Sequence, residues 1–370
     1  MRLATYNVEN VARRARVLNV ESWNDGRAIL EAHAELVRLA ARDTYDDDAR
    51  KRMREMLVAL GLEKTRRSRF VTLVEQRSEL AGVSALRGLR VTARGRAEWL
   101  GWFEFETELL PPRATLNLGQ VVRDVGADVL AVQEVETRAA LAALMRDTVR
   151  DAGGEPYDQL AYFAGNDELG LGVGLAARGG HTIGWSRSHA DTVAPTGGLI
   201  HDRDAPEISV WTPTGVVLWV IVVHFRSSAY GRREDAEARR RAQAAAVAAS
   251  YQRLVKEGGR YIAVCGDFGD ATDSEALSPL VRGTDLIDAS RHPTFASDGF
   301  AGTYGKATAK ERIDHILLSP DLYARVQAGG MWRRGAWGSG KLPAWDVYPE
   351  LKSSYDGASD HAAVWVDLDL

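Results

Sequence analysis

Six apolar runs in the chain end on, or are broken by, side chains able to hold a cation or move a proton: Asn7, Glu134, His224, Asp267, Asp314 and the pair Asp360-His361. The plainest case is Tyr261-Ile-Ala-Val-Cys-Gly-Asp267-Phe-Gly-Asp270, a run of strand length that breaks at glycine with a carboxylate just past it. A buried strand ending in Gly-Asp delivers an acid to the rim of a sheet, where ligands bind in open α/β architectures. One such aspartate is an ordinary turn residue. Several carboxylates and two histidines on separate apolar strands resist that explanation, because an unpartnered buried charge is costly. Convergence on a metal ion removes the cost. The oxygen-rich set Asn7, Glu134, Asp267 and Asp360 suits a hard cation, magnesium or alternatively manganese. The chain has no His-x-x-x-His pair and no thiolate cluster, which argues against a zinc hydrolase.

The elements that must carry these residues alternate between strand and helix. Leu3-Ala-Thr-Tyr-Asn-Val is a first strand, Asp128-Val-Leu-Ala-Val-Gln-Glu134 a buried one, and Val216 to Phe225 a long apolar one. Further strands are expected at Leu160–Ala164, in the glycine-rich run Gly170–Ala176, at Arg312–Leu318 and from Ser359 through Leu368. Helices are expected over Leu116–Val125, Thr137–Asp151 and Arg233–Lys256, with Arg239, Arg240 and Arg241 on a solvated face. The Trp-, Tyr- and Gly-rich segment from Met331 to Tyr355 reads as a long ordered loop whose Trp332, Trp337, Trp345, Tyr348 and Tyr355 either stack on bases or pack the loop. Residues 11–112 separate two strands that otherwise read as neighbours, and they read as an inserted, mainly helical subdomain. In it, Asn24 or Asp25 caps a helix from about Arg27 to Arg42, and Asp46-Asp47-Asp48 caps a second. Leu89–Glu106 reads as a hairpin, with Trp99 and Trp102 either packed or exposed for stacking.

Composition narrows the setting. With 370 residues, a net charge of -4 and 45% hydrophobic residues, the chain is of ordinary globular type. Its charge gives no global pull toward nucleic acid, so any such contact must use local basic patches. The single cysteine, Cys265, excludes an intrachain disulfide and reads as core. Met1–Asn7 reads directly as a strand rather than a leader, and no apolar run approaches the roughly 20 residues of a membrane span. A cytoplasmic protein with no membrane partner is expected.

The motifs Ala-Thr-Tyr-Asn7-Val-Glu-Asn, Gln133-Glu134, His224-Phe-Arg226-Ser, Gly266-Asp267-Phe, Arg312-Ile-Asp314-His and Ser359-Asp360-His361 occur in that order. In this the chain resembles the endonuclease/exonuclease/phosphatase superfamily, which includes deoxyribonucleases, abasic-site endonucleases, sphingomyelinases and inositol polyphosphate phosphatases. The resemblance covers roughly residues 1–10 and 113–370. It implies one α/β domain over 1–370, interrupted at about 11–112, with a four-layer α-β-β-α sandwich of two mixed sheets. It also implies hydrolysis of a phosphate ester by in-line attack of water. By that resemblance Glu134 binds magnesium with Asn7 and Asp360 in support. His361 contacts the scissile phosphate or acts as base, and Asp314 fixes its tautomer. Asp267 orients or deprotonates the water, and His224 is a second phosphate-facing imidazole. Asn166 and Arg226 are phosphate contacts. One position departs from the family pattern: Gly269 stands where the family usually has asparagine. That change weakens activity, is covered by Asp270 or Asn166, or marks a binding protein descended from an enzyme.

The expected function is therefore a metal-dependent phosphodiester hydrolase acting on DNA or RNA. The alternatives are a hydrolase of small or lipid-derived phosphate esters and a non-catalytic module that binds nucleic acid or protein. Protein partners are not encoded in any motif.

Overall fold

A computed structural model describes residues 1–18, 20, 23–84, 88–167, 169–194, 197–227, 233–338 and 343–370, except the side chains of Trp23 and Asp25. Residues 339–342 of the aromatic segment lie outside these. The chain divides into two compact units, one of Met1–Ala12, Leu110–Arg226 and Ala236–Leu370, the other of Arg13–Leu109 and Ser227–Asp235. No helix among the described residues is long and apolar enough to cross a membrane.

In the first unit the strands are β1 (Arg2–Asn7), β2 (Val129–Val135), β3 (Gln159–Phe163), β4 (Gly172–Ala177), β5 (Thr182–Arg187), β6 (Glu207–Trp211), β7 (Val217–His224), β8 (Tyr261–Asp267), β9 (Ile287–Asp288), β10 (Asp314–Leu318), β11 (Val326–Trp332) and β12 (Ala363–Leu368). They form two six-stranded sheets, ordered β11-β12-β1-β2-β4-β3 and β5-β6-β7-β8-β10-β9. Each sheet is mixed: β1–β2 and β7–β8 are parallel and their neighbours antiparallel. The parallel strands are near-continuous apolar runs because both of their faces are buried. Inner faces of the two sheets share one core, with Leu3, Val129 and Val366 from the first packed with Val220, Ala263 and Ile316 from the second. Cys265 lies in this core, and burial pushes its thiol up to about 12, which leaves it inert.

Three helices cover the outer faces. The first, α1 (Pro112–Val125), starts on a proline at its first turn and ends at Gly126, whose left-handed φ of 62° suits a glycine cap. The second, α2 (Arg138–Ala142), runs on through a π-helical stretch, Ala143–Thr148, into Val149–Asp151. Together they bury Leu118, Val122, Leu141 and Met145 against the first sheet. The third, α3 (Arg233–Lys256), buries Ala244, Val247 and Tyr251 against the second sheet. The result is the expected four-layer α-β-β-α sandwich. One arginine of α3 departs from expectation: Arg241 is exposed, but Arg240 is only 2% exposed. Its guanidinium donates to the Arg226 carbonyl at 2.9 Å and meets Asp270 at 3.3 Å, so it braces two loops instead of facing solvent.

The second unit holds helices Trp23–Ala40 and Asp47–Ala59 and three two-stranded sheets. Asp46 caps the second helix by accepting from the Ala49 amide. The first helix begins at Trp23, about a turn before the expected start, so neither Asn24 nor Asp25 precedes it. Residues 89–106 do not form a hairpin with each other. Leu100–Phe105 pairs with Val71–Arg77, and Gly88–Val91 pairs with Ala81–Ser84. Alternating aromatics fix which face of a strand is buried, but not its partner. Trp99 is buried and donates to Tyr45 Oη, whereas Trp102 is exposed.

The aromatic segment is mostly packing. Trp337 and Tyr348 belong to the core under α1, Tyr348 bridges Trp332 and Asp124, and Trp345 donates to the Ala336 carbonyl. Tyr355 alone of the five is exposed.

Candidate active site

Strand register builds one side of the site. His224, the last residue of β7, lies opposite Asp267, the last of β8, and Asp267 lies opposite Asp314, the first of β10. Three polar side chains therefore form a row across the end of the second sheet. Gly266 makes the row possible, because a Cβ there would sit 1.9 Å from the Val223 carbonyl oxygen. The Gly269 amide donates to Asp267 Oδ1 at 2.8 Å and orients that carboxylate.

The first sheet supplies the facing side. Asn7 ends β1 and pairs in register with Gln133. The β2–β4 register shifts so that Gly172 opposes Val135 while Val173 opposes Gln133, which leaves Glu134 as the extra residue of a bulge. Its φ is 63°, a conformation that non-glycine residues rarely adopt. A bulge re-aims the side chain it carries, and strain of this kind persists where the surroundings hold it. The Asn7 amide nitrogen donates to Glu134 Oε1 and to Asp267 Oδ2, both at 3.1 Å, linking the two sheets. Ser359 donates to the Asn7 carbonyl and accepts from the His361 amide, so His361 enters just before β12. Asp360 is tied to Glu9 through its backbone amide.

His361 Nδ1 lies 2.7 Å from Asp314 Oδ2, and its Nε2 lies 3.7 Å from Asp360 and 3.9 Å from Asp267. Burial alone would lower the His361 pKa. The carboxylates of Asp314, Asp360 and Asp267 outweigh it and hold the pKa well above the usual value. The ring is thus an imidazolium at neutral pH, with Nδ1 donating to Asp314. Thr303 Oγ accepts from the Ile313 and Asp314 amides, and the Tyr304 ring packs 4.9 Å from that of His361. His224 goes the other way: burial, then Arg203 and His361, push its pKa well down. Its Nε2 stands 3.6 Å from both Glu134 and Asp267, and its Nδ1 has no hydrogen-bond partner among the described residues.

Burial raises Glu134 above its ordinary value, against the opposing pull of His361, Asn7 and Arg203. Burial and the charge of Asp314 raise Asp267. Acids held up in this way lack positive charge, and oxygen donors short of positive charge fit a hard divalent cation. Donor atoms of Asp267, Asp314 and His361 lie within 4.8 Å of one another; with the His361 ring protonated and bonded to Asp314, the donors among them that fit a metal ion are the carboxylate oxygens. Asn7 and Glu134 adjoin them through the bonds just given.

The two expected phosphate contacts have protein partners of their own. The Asn166 amide donates to the Ala190 and His201 carbonyls, and Arg226 lies 4.0 Å from Asp202. Residues with no motif to mark them also belong to the surroundings. Arg203 is buried with Asp167 at 3.1 Å, and its charge acts on both Glu134 and His224. Its only signal in the sequence is an arginine in a polar loop.

The family model for the endonuclease/exonuclease/phosphatase family matches residues 101–361. The chain belongs to that family. Its members are phosphoester hydrolases, nucleases and phosphatases among them, and they generally use divalent metals. No curated protein matches the chain. Solved structures similar to it include a truncated TDP2 from Caenorhabditis elegans, with 14% identity, TM-score 0.47, and 68% of this chain and 88% of that one covered. A mannosyl-6-phosphatase from Bacteroides thetaiotaomicron is 18% identical with TM-score 0.46, over 70% and 91%. The human Nocturnin catalytic domain, solved with a bound sulfate anion, is 18% identical with TM-score 0.48, over 71% and 88%.

Gly269, where the family usually has asparagine, has a left-handed φ of 63°. Asparagine tolerates that backbone. A Cβ there, however, would lie 2.9 Å from the Arg226 carbonyl oxygen and 3.3 Å from Arg240 Cδ. Gly269→Asn is expected to destabilise the fold by about 1–3 kcal/mol and to leave turnover no higher than in the wild type. Thermal melts and phosphodiester hydrolysis check both. Unchanged stability with faster turnover would contradict this account of the loop.

Proposed function

We propose that the chain is a metal-dependent phosphodiester hydrolase acting on nucleic acid. The observation that carries the reading is the facing of Asn7, Glu134 and His361 against the row His224–Asp267–Asp314, with two acids held up and one imidazole held protonated. The family description, which includes endonucleases and exonucleases, supports nucleic acid as the substrate class; the fold by itself does not choose among phosphate esters.

In this reading Glu134, Asn7 and Asp360 hold magnesium, with manganese as the alternative. When bound, the cation offsets negative charge on the phosphoryl group. Asp267 accepts the proton of the attacking water, and its raised affinity for protons suits that task. Asp314 fixes the His361 ring so that its Nε2–H faces the phosphate and stabilises charge developing there. His224, buried and neutral, is a second imidazole beside Glu134 and Asp267.

The test is a cleavage panel with magnesium or manganese over single- and double-stranded DNA, abasic DNA, RNA and a chromogenic phosphodiester. Metal-dependent cleavage of one polymer is expected. Turnover of the small ester alone would move the activity to a small-molecule phosphodiesterase. Binding of a polymer with no turnover of any substrate would make the chain a binding module.

A further inference from the structure

At the far end of β7 from His224, the outer face of the second sheet carries three indoles: Trp185 on β5, Trp211 at the end of β6 and Trp219 near the start of β7. Helix α3 covers Ile221 and Val223 farther along the same face. It ends at Lys256, and the chain turns at Gly258 with φ of 92°. Trp185 and Trp211 remain 47% and 50% exposed. The three indoles, with Glu257 and Gly258, line a cleft of about 380 Å³. That is the scale of a small-molecule site rather than of a polymer groove.

The walls of the cleft select by charge. Trp185 and Trp219 meet edge to face, with centroids 5.6 Å apart and planes at 75°, so their rings form adjoining sides of a corner. Arg187 stacks its guanidinium 4.9 Å over the Trp185 ring and does not line the cleft, so the ring surface free for a ligand is chiefly that of Trp211 and Trp219. Glu257 supplies a carboxylate. Its partner Arg253, at 2.6 Å, is shared with the buried Glu207, which also bonds His189. Glu257 is therefore only partly neutralised. Indole faces attract cations through the ring quadrupole, most strongly those that shed water easily. A primary ammonium keeps its water, whereas an alkylated one does not need it. An anion would meet the negative ring faces, and a neutral apolar solute would make no use of Glu257.

We propose that this cleft binds a small quaternary ammonium solute. The site is separate from the carboxylate and imidazole cluster and does not depend on the function proposed above. The test uses the full chain and two ligands of one shape: choline, and its uncharged isostere in which carbon replaces the ammonium nitrogen. Calorimetry and ligand-observed NMR read the binding. Choline is expected to bind at least about tenfold more tightly than the isostere, and Trp211→Ala to weaken choline about tenfold. Glu257→Gln should weaken it about threefold. Both side chains are about half exposed, so both variants should fold, and circular dichroism confirms it. Equal binding of the two ligands, or binding of neither, would overturn the proposal. So would a concentration-dependent dimer that Trp211→Ala dissolves while choline has no effect, since that face would then belong to a second copy of the chain.

Discussion

Asp267→Asn is expected to abolish phosphodiester turnover and at the same time to raise the melting temperature of the metal-free protein. Loss of a proton-accepting carboxylate removes a factor of about 100 to 10,000 in rate. The stability gain follows from sign. Burial, then the charge of Asp314, holds the folded-state pKa of Asp267 above its ordinary value. A carboxyl raised on folding is harder to ionise in the folded than in the unfolded chain. Above the ordinary pKa it therefore destabilises the fold, by a penalty that grows as pH rises through the raised folded-state pKa. A neutral amide of the same size removes that penalty, which outweighs the loss of one of the two hydrogen bonds that Asp267 accepts from Gly269 and Asn7. Added magnesium should raise the melting temperature of the wild type, and raise that of the variant less. Loss of stability in Asp267→Asn would mean that the carboxylate holds the fold together rather than storing charge for chemistry.

His361→Ala should lower turnover by about 100 to 10,000-fold, and Asp314→Asn by a smaller factor with a distinctive pH profile. Asp314, Asp360 and Asp267 together raise His361, against burial, so the wild-type ring stays protonated well past its ordinary pKa. Turnover that needs the imidazolium should fall as pH rises through that raised value. Replacing Asp314 by asparagine removes the largest raising influence, so the alkaline limb should move to lower pH. In stability terms, His361 contributes fully below its unfolded pKa and the contribution is lost as pH rises through the folded one. The pH dependence of turnover for the two proteins checks this. An alkaline limb that does not move in Asp314→Asn would remove His361 from the titrating role.

How much of this could be read before the structure depends on the kind of interaction. The row His224–Asp267–Asp314 was legible because each residue ends or starts an apolar run, and parallel or antiparallel register then aligns them. The bulge at Glu134 was not, because it is set by a one-residue mismatch between β2 and β4. Arg240 read as a solvated arginine on an Arg-rich helix. Its burial depends on a turn far along the chain where Gly269 leaves room for its stem. The strand at 100–105 was found with its alternation intact but given the wrong partner, since alternation carries no information about pairing. The aromatics at 337 and 348 read as a stacking surface or as packing, and only the core beneath α1 decides for packing.

The central claim is that the acids and imidazoles gathered between the two sheet ends form a metal-dependent phosphodiester hydrolase. The most direct measurement is the hydrolysis rate of one phosphodiester in magnesium, in chelator, and in magnesium with Asp267→Asn. The account predicts turnover in the first condition alone. Equal turnover in chelator, or undiminished turnover by the variant, would contradict it.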